Sequence, residues 1–307
     1  MCATCGCGND SGTRVTLLTG PTAAVGDVHP HDHLHQHRPA DHDHHPADEH
    51  QHHQHIGHGG DRVPAHRDQA PDTGRTIVLE QQILAKNATF AEHNRQWLAA
   101  RGVLAINLMS SPGAGKTTLL ERTIATVGGS TRIAVIEGDQ ETPLDAERIR
   151  AVGCPVVQIN TGAGCHLDAD MVHRALQALD PGRGTLLFIE NVGNLVCPAL
   201  FDLGEAHRIV LTSVTEGADK PMKYPHMFGA ADLVLINKMD LLPYVDFDVD
   251  RFSGDVHRLN ARAEILEMTA ITTDGFTHWV EWLTRAVADH RQRGDHLDTG
   301  PQPGLGM

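Results

Sequence analysis

Lys116 and Thr117 end the run SSPGAGKTT, and their side chains are the first in this sequence with an obvious chemistry. A lysine ammonium beside a hydroxyl, preceded by Gly113, Ala114 and Gly115, suits a bound phosphate. The glycines remove side chains where backbone N–H groups must approach the anion. Lys116 supplies a charge to the outer phosphates, the Thr117 hydroxyl can hold Mg²⁺, and Thr118 follows at the helix start. The pattern departs from G-x-x-x-x-G-K-S/T at its first position, where Ser110 stands. An apolar run, Val103 to Leu108, precedes the loop and a helix-like stretch follows, the strand–turn–helix context that this chemistry requires.

A second group of residues reads a base. Asn237, Lys238 and Asp240 follow the strand-like run ending at Ile236. A buried carboxylate at Asp240 can accept from both N1–H and the exocyclic amine of guanine. Adenine lacks that donor pair, so the unmet carboxylate would reject it. Thr269 and Ala270, after a later strand, are read as backbone donors near the guanine oxygen. Two acids end other strands: Asp139 in EGDQ and Glu190 in ENVG. Either can hold Mg²⁺, and Asp139 alternatively positions the attacking water or caps the next helix. Gly193 can turn its N–H toward a γ-phosphate. No arginine is assigned to the transition state, so unassisted hydrolysis is expected to be slow.

Thiols and imidazoles form a third group. Cys2, Cys5 and Cys7 are too close together for relaxed disulfides but can wrap one ion, with the α-amino group as a fourth ligand. That set suits square-planar Ni(II), with tetrahedral Zn(II) as the alternative. Fourteen of the 23 histidines fall between His29 and His66, where large apolar side chains are almost absent. That composition cannot offset its ordering entropy, so the segment is expected to be disordered and to bind several borderline metal ions weakly. Cys165 and His166 sit together in NTGAGCHLDADM. Adjacent side chains diverge, so another ligand is needed. Cys197 in NVGNLVCP is the candidate, and a symmetric dimer could double the set.

The elements positioning these groups alternate. Short β-branched runs at 133–136, 156–159, 186–189, 209–214 and 233–236 are separated by helix-like segments such as 143–151 and 168–179. This rhythm predicts an α/β fold: a mostly parallel sheet with helices on both faces. The predicted organisation is a metal-binding tail over 1–76, outside the fold; a nucleotide-binding domain over 77–293, entered by a helix from Ile77 to Arg101; and a frayed tail over 294–307. The formal charge of −14 over 307 residues argues against a nucleic-acid footprint. No apolar run reaches membrane-spanning length and no secretory leader is read at the start, which points to the cytoplasm. In a reducing compartment, clustered cysteines favour metal over disulfides.

Taken together, the motifs resemble the HypB family of hydrogenase nickel-incorporation GTPases, within the SIMIBI class of P-loop proteins. The likeness is carried by C-x-x-C-G-C at Cys2, Cys5 and Cys7, by SSPGAGKTTLL, EGDQ, NTGAGCHLDADM, FIENVGNLVCP, SVTEGADKPMKYPHMF and NKMDLLPY. It implies a slow, Mg-dependent GTPase that helps deliver nickel to the large subunit of a nickel–iron hydrogenase. It further implies a HypA-type metallochaperone as partner and GTP-linked dimerisation. Cys2, Cys5 and Cys7 would then be the tight nickel site, and Cys165, His166 and Cys197 the metal site of the GTPase domain. Lys116, Thr117, Asp139 and Glu190 would serve nucleotide and Mg²⁺. The rivals are a urease-maturation type of GTPase, and a nickel or zinc storage protein with a vestigial nucleotide site.

Overall fold

The computed structural model describes residues 13–18 and 73–298, with side chains from 81 to 293 beyond the first segment. Cys2, Cys5, Cys7, the His-rich stretch and the last nine residues lie outside the described residues. The strands are β1 (Arg14–Leu18), β2 (Leu104–Ser110), β3 (Ile133–Asp139), β4 (Val156–Asn160), β5 (Leu186–Glu190), β6 (His207–Ser213), β7 (Leu233–Asn237) and β8 (Glu264–Glu267). The helices are α1 (Thr73–Arg101), α2 (Lys116–Val127), α3 (Leu144–Ala151), α4 (Ala169–Leu179), α5 (Lys220–Lys223), α6 (Pro225–Gly229), α7 (Val249–Leu259) and α8 (Phe276–Asp298).

The eight strands form one sheet in the order β1-β4-β3-β5-β2-β6-β7-β8. Every pairing is parallel except β1 with β4. The central strands are buried end to end, as LAINLMS, LLFIE and LVLIN require when both faces are covered. Alternation along β2 sorts the core. Leu104, Ile106 and Leu108 face a cluster with Leu119 and Leu120 of α2, Ile149 of α3 and Trp279 of α8. Ala105 faces the opposite side, packed with Leu98 of α1 and Val172 and Leu176 of α4. Met109 joins Phe228 of α6 and Phe252 of α7. Among the described residues, no helix is long and apolar enough to cross a membrane.

Three boundaries differ from the sequence reading. Arg14–Leu18 belongs to the fold, although everything before about Thr76 was read as tail. The run is short and flanked by polar residues, and it is held mainly by its backbone ladder to β4, with Val15 and Leu18 half-buried against the core. At the other end, α8 continues to Asp298 rather than ending near 293. Helix α7 was not anticipated, yet its signals are present: Asp248 caps it by accepting from Arg251 N–H, and Phe252 and Val256 line its buried face.

The chain leaves β2 for β3, which lies beyond β5, and later returns past β5 to β6 on the other side. Strand order therefore reverses around β2 and β5, and a crevice opens at their carboxyl ends. This is where open α/β sheets hold ligands.

Candidate functional site: a phosphate cleft beside a Cys–His cluster

The turn between β2 and α2 wraps that crevice. Gly115 has φ +105°, and a Cβ there would sit 2.7 Å from Asn237 Nδ2, so the position admits only glycine. Asn237 explains the closeness. Its Nδ2 donates to Ala114 C=O at 2.9 Å, while its Oδ1 accepts from Ala270 N–H at 2.9 Å. Lys238 donates from Nζ to Gly113 C=O at 2.8 Å. The loop is thus clamped from β7, across the sheet, in the shape that presents its amides.

Within the loop, Lys116 Nζ donates to Ser110 Oγ at 2.8 Å, so Ser110 stands where the pattern has glycine and holds the lysine. Thr117 Oγ1 donates to Glu190 Oε1 at 2.8 Å. A cleft of about 520 Å³ opens above, lined among others by Gly113, Lys116, Thr117, Glu137, Asp139 and Glu190. Thr118 and Gly193 border it as well. Gly193 lies against the loop itself: a Cβ there would meet Pro112 atoms at 3.1 Å.

Sequence reasoning passed over Glu137, which the structure puts at the centre of the acids. It is buried in the last turn of sheet before the loop, and burial pushes its carboxyl up to about 9, with the charges of Glu190, Asp139 and Asp145 adding to the effect. Burial likewise raises Glu190 to about 7, against the pull of Lys116 and the Thr117 hydrogen bond. One oxygen of each, Oε2, has no hydrogen-bond partner among the described residues. Carboxyl oxygens of Glu137, Asp139 and Asp145 can all lie within 4.8 Å of one another. Buried, partnerless carboxylate oxygens beside a threonine hydroxyl are a donor set that fits a hard divalent ion such as Mg²⁺. An acid inside an otherwise apolar strand was the signal available in the sequence. Asp139 itself accepts from Glu141 N–H at 2.9 Å, which bends the chain after β3.

Two readings need correction. Asp240 is exposed rather than buried, and its N–H donates to Thr269 Oγ1 at 3.3 Å. It lies on a 3-10 turn, Met239–Tyr244, that rides on the surface after β7. Thr269 and Ala270 do not offer their amides to a base. Thr269 N–H donates to Asp274 C=O at 3.0 Å and Ala270 N–H to Asn237. Their carbonyls are gathered by Arg122 of α2, whose guanidinium also stacks over Phe276 at 3.9 Å. The segment is therefore a fixed scaffold beside the 3-10 turn, with the Thr269 hydroxyl as its contact to Asp240.

Two cations also escaped sequence reasoning. Arg148 of α3 lines the cleft, its guanidinium held by Glu121 at 2.6 Å and reaching Thr118 Oγ1 at 3.2 Å. Lys220 Nζ donates to Ser111 Oγ at 3.1 Å from the first turn of α5. Both reach the loop from distant segments, so spacing in the chain gave no cue.

The thiol and imidazole residues do meet. Cys165 Sγ lies 2.9 Å from Cys197 Sγ and 3.7 Å from His166 Nδ1. The adjacent pair was expected to diverge. Instead the loop after Gly164, pinned by Gly164 N–H to Thr161 C=O at 2.9 Å, turns both side chains to one side before α4 begins. His166 is buried against Phe201, ring centroids 3.9 Å apart, and that burial depresses its basicity, keeping it neutral and fit to ligate. Cys165 is half-exposed and Cys197 buried. The three donor atoms lie within 4.8 Å of one another and could hold one soft metal ion, one donor short of the four of a closed structural site. Cys154, by contrast, is buried near β3, its thiol pushed up to about 12 by burial alone, consistent with a packing role.

Cleft and cluster share their walls. Gln140, which lines the cleft, donates to Gly164 C=O at 3.2 Å. Asn191, next to Glu190, accepts from Leu167 N–H at 3.2 Å. Asn194 donates to Cys165 C=O at 3.2 Å. The segment 190–197 thus runs from the cleft acid, past Gly193 against the phosphate loop, to Cys197 of the Cys–His cluster.

Comparison with known proteins places this arrangement. The family described as CobW/HypB/UreG, nucleotide-binding domain, matches residues 104–267. The hydrogenase maturation factor HypB of Azotobacter vinelandii is 52% identical over 243 residues, covering 79% of this chain and 77% of the relative. That of Escherichia coli K12 is 51% identical over 231 residues, 75% of this chain and 78% of the relative. The crystal structure of HypB from Archaeoglobus fulgidus superposes with a TM-score of 0.63 at 43% identity, covering 66% of this chain and 99% of that one. HypB from Helicobacter pylori, crystallised in complex with nickel, gives 0.63 at 38% identity, covering 66% and 96%. With a P-loop cleft and a Cys–His cluster on one mostly parallel sheet, this chain belongs to the HypB family of hydrogenase maturation factors.

Proposed function

We propose that the protein is a nickel metallochaperone that couples GTP binding and hydrolysis to nickel delivery during hydrogenase maturation. The observation that carries this reading is the shared wall: residues 190–197 line the phosphate cleft at one end and supply Cys197 to the cluster at the other. Ordering that segment against a γ-phosphate changes the position of a metal ligand, and by linkage the metal changes nucleotide affinity by the same factor.

Lys116 and the loop amides bind the phosphates, the lysine exchanging Ser110 Oγ for a phosphate oxygen. Thr117, Glu190, Glu137 and Asp139 are the residues that would hold Mg²⁺, which would supply positive charge to offset that of the phosphates. Asp240 pairs with the guanine edge, and Asn237 and Lys238 keep the loop in register with it. Glu137, protonated by burial, can hold a proton beside the phosphates and give it up as a cation or substrate arrives. Arg148 is a cation that lines the cleft from outside the loop, but Glu121 and Asp145 restrain it, which fits slow intrinsic turnover. Nickel is cargo, held by Cys165, His166 and Cys197, with zinc the competing ion for the same donors. A GTP- and metal-linked homodimer, a HypA-type partner and the hydrogenase large subunit complete the reading. The neighbour crystallised with nickel supports the choice of cargo.

The deciding measurement is nickel and zinc affinity of the chain carrying Cys2, Cys5 and Cys7 as serines, with GDP and with a non-hydrolysable GTP analogue. An affinity that shifts several-fold between the two is expected. Equal affinities would leave two unrelated sites on one domain.

A further inference from the structure

Helix α1 buries one stripe, at Asn87, Ala91, Asn94 and Leu98, whose spacing puts them on a single face. Alanine and leucine suit such a stripe. Two asparagines do not, because a buried amide is costly unless its donors and its acceptor are met. Both amides are met, and by two particular stretches of chain. Asn87 Oδ1 accepts from Ala169 N–H at 2.8 Å, and its Nδ2 donates to Asp202 C=O at 2.8 Å. Asn94 Nδ2 donates to Ala169 C=O at 2.8 Å and to Leu203 C=O at 3.0 Å. With both carbonyls on that nitrogen, Asn94 Oδ1 is left as an acceptor, and His173 Nδ1 stands 3.1 Å away to donate to it.

Each asparagine thus joins the two loops that carry the cluster. Ala169 opens α4 three residues after His166, and Asp202 and Leu203 follow Cys197 by five and six residues. Phe201, whose ring lies 3.9 Å from that of His166, is the residue before Asp202. Asn87 therefore holds the backbone next to Phe201 and near His166 at once. Gly204 shows how closely this chain runs to the helix: its φ is +88°, and a Cβ there would meet the Ala91 carbonyl oxygen at 2.5 Å and Asn94 Cβ at 2.8 Å. An apolar stripe alone would hold α1 on the domain, but apolar contact has no direction. Amide hydrogen bonds do, so moving either loop against the other breaks one of them. Neither asparagine is among the residues that line the phosphate cleft.

We propose that Asn87 and Asn94 are positioning residues of the Cys165–His166–Cys197 cluster: from α1 they fix the separation of its two loops, and with it the distance from Cys165 to Cys197. The proposal rests on the metallochaperone reading for the ion at the cluster, while the spacing of the loops belongs to the chain itself. Groups that orient metal ligands from behind govern affinity by about 10–100-fold.

The test uses the full chain with Cys2, Cys5 and Cys7 changed to serine, so that thiolate–nickel absorption reports Cys165 and Cys197, with Cys154 buried elsewhere beside β3. Asn87→Asp keeps the acceptor for Ala169 N–H but turns an oxygen toward Asp202 C=O. Asn94→Leu removes both donors at similar volume. Each is expected to weaken nickel binding at the cluster by about tenfold or more and to change the thiolate–nickel spectrum. GDP affinity, the measure of an intact fold, should hold. Leu98→Ala is the control: on the same stripe it loses only apolar packing, so it should lower the melting temperature and leave nickel affinity and spectrum as they were. A second readout needs no metal. Cys165 Sγ lies 2.9 Å from Cys197 Sγ, and diamide oxidises such a thiol pair to a disulfide while itself being reduced to a hydrazine that takes up both protons. Closure of that pair, followed by mass spectrometry of the peptides, should slow several-fold in both asparagine variants and not in Leu98→Ala. Closure as fast as in the parent in both asparagine variants, or slowed equally in Leu98→Ala, overturns the proposal. If the parent shows no thiolate–nickel absorption, the metallochaperone reading fails by itself, and the closure rates still decide whether the asparagines space the loops.

Discussion

The phosphate cleft and the Cys–His cluster lie side by side but are built differently. The cleft is fixed by side chains that cross the sheet: Asn237 ties the loop to Ala270, Lys238 ties it to Gly113, and Arg122 ties the far wall to α2. The cluster rests on two loops, held mostly by contacts to loop backbone, from Gln140 and Thr161 on Gly164, from Asn191 on Leu167 and from Asn194 on Cys165, and by one ring contact. A site that must recognise one ligand in one pose gains from such preorganisation. On the proposed reading, a site that gives up its ion gains from resting on loops rather than on ties across the sheet. The difference teaches that the two can be separated by mutation even though they share residues 190–197.

The largest effect is expected from Lys116→Ala, which removes the charge from the cleft and leaves its scaffold. GTP affinity should fall by about 100-fold or more, since a charge-assisted contact is lost in a partly buried site. Nickel affinity at Cys165, and at Cys2, Cys5 and Cys7, should be unchanged. Titrations with a fluorescent nucleotide and with nickel measure both, and loss of the two together would dissolve the distinction between rigid and loose sites. Cys197→Ala is the complementary break. Nickel binding at the cluster should weaken by about tenfold, and metal-dependent dimer by sedimentation should fall with it, while GDP affinity holds. A dimer fraction unchanged in metal and GTP would remove the cluster from the interface.

A smaller effect is expected where the two sites touch. Gly193→Ala places a methyl 3.1 Å from Pro112, so either the phosphate loop or the 190–197 segment must give by a few tenths of an ångström. GTP affinity should drop several-fold, and the nucleotide dependence of nickel affinity should shrink. If GTP affinity drops while the nickel response to nucleotide stays whole, the coupling runs through Gln140 and Gly164 instead.

This division also explains what the sequence disclosed. The strand rhythm, the loop at Gly113 to Thr118 and the strand end at Asn237 and Lys238 were legible because each depends on local spacing. The meeting of Cys165 and Cys197 was inferable because only a few residue types ligate soft metals. Arg148, Arg122 and Lys220 were not legible, because their roles come from contacts across the fold: Arg122 acts on Thr269 and Ala270, far away in the chain. Glu137 left only the sign of an acid in an apolar strand, without its neighbours. Asp240 and the amides of Thr269 and Ala270 were misplaced for the same reason, since local pattern does not show which groups are already satisfied. Strand β1 was missed because five residues with little burial gain their place from a partner strand, not from their own periodicity.

The last expected effect is a pH dependence of stability that belongs to the cleft alone. Glu137 has an ordinary carboxylate value in the unfolded chain and about 9 in the fold, and Glu190 about 7. Both therefore bind more protons folded than unfolded, so their contribution to stability is greatest below about pH 4.5 and declines as pH rises, for Glu190 up to about 7 and for Glu137 up to about 9. The slope is at most about 1.4 kcal/mol per pH unit per group. Glu137→Gln removes the titration without removing the volume. The nucleotide-free variant should match the parent near pH 5 and exceed its melting temperature progressively toward pH 9. The gap should narrow when Mg²⁺ and GDP are added, because a cation offsets the buried charge. Parallel melting curves of the two proteins across that range would mean Glu137 is ionised without penalty, and the cleft would then be as open to water as the cluster beside it.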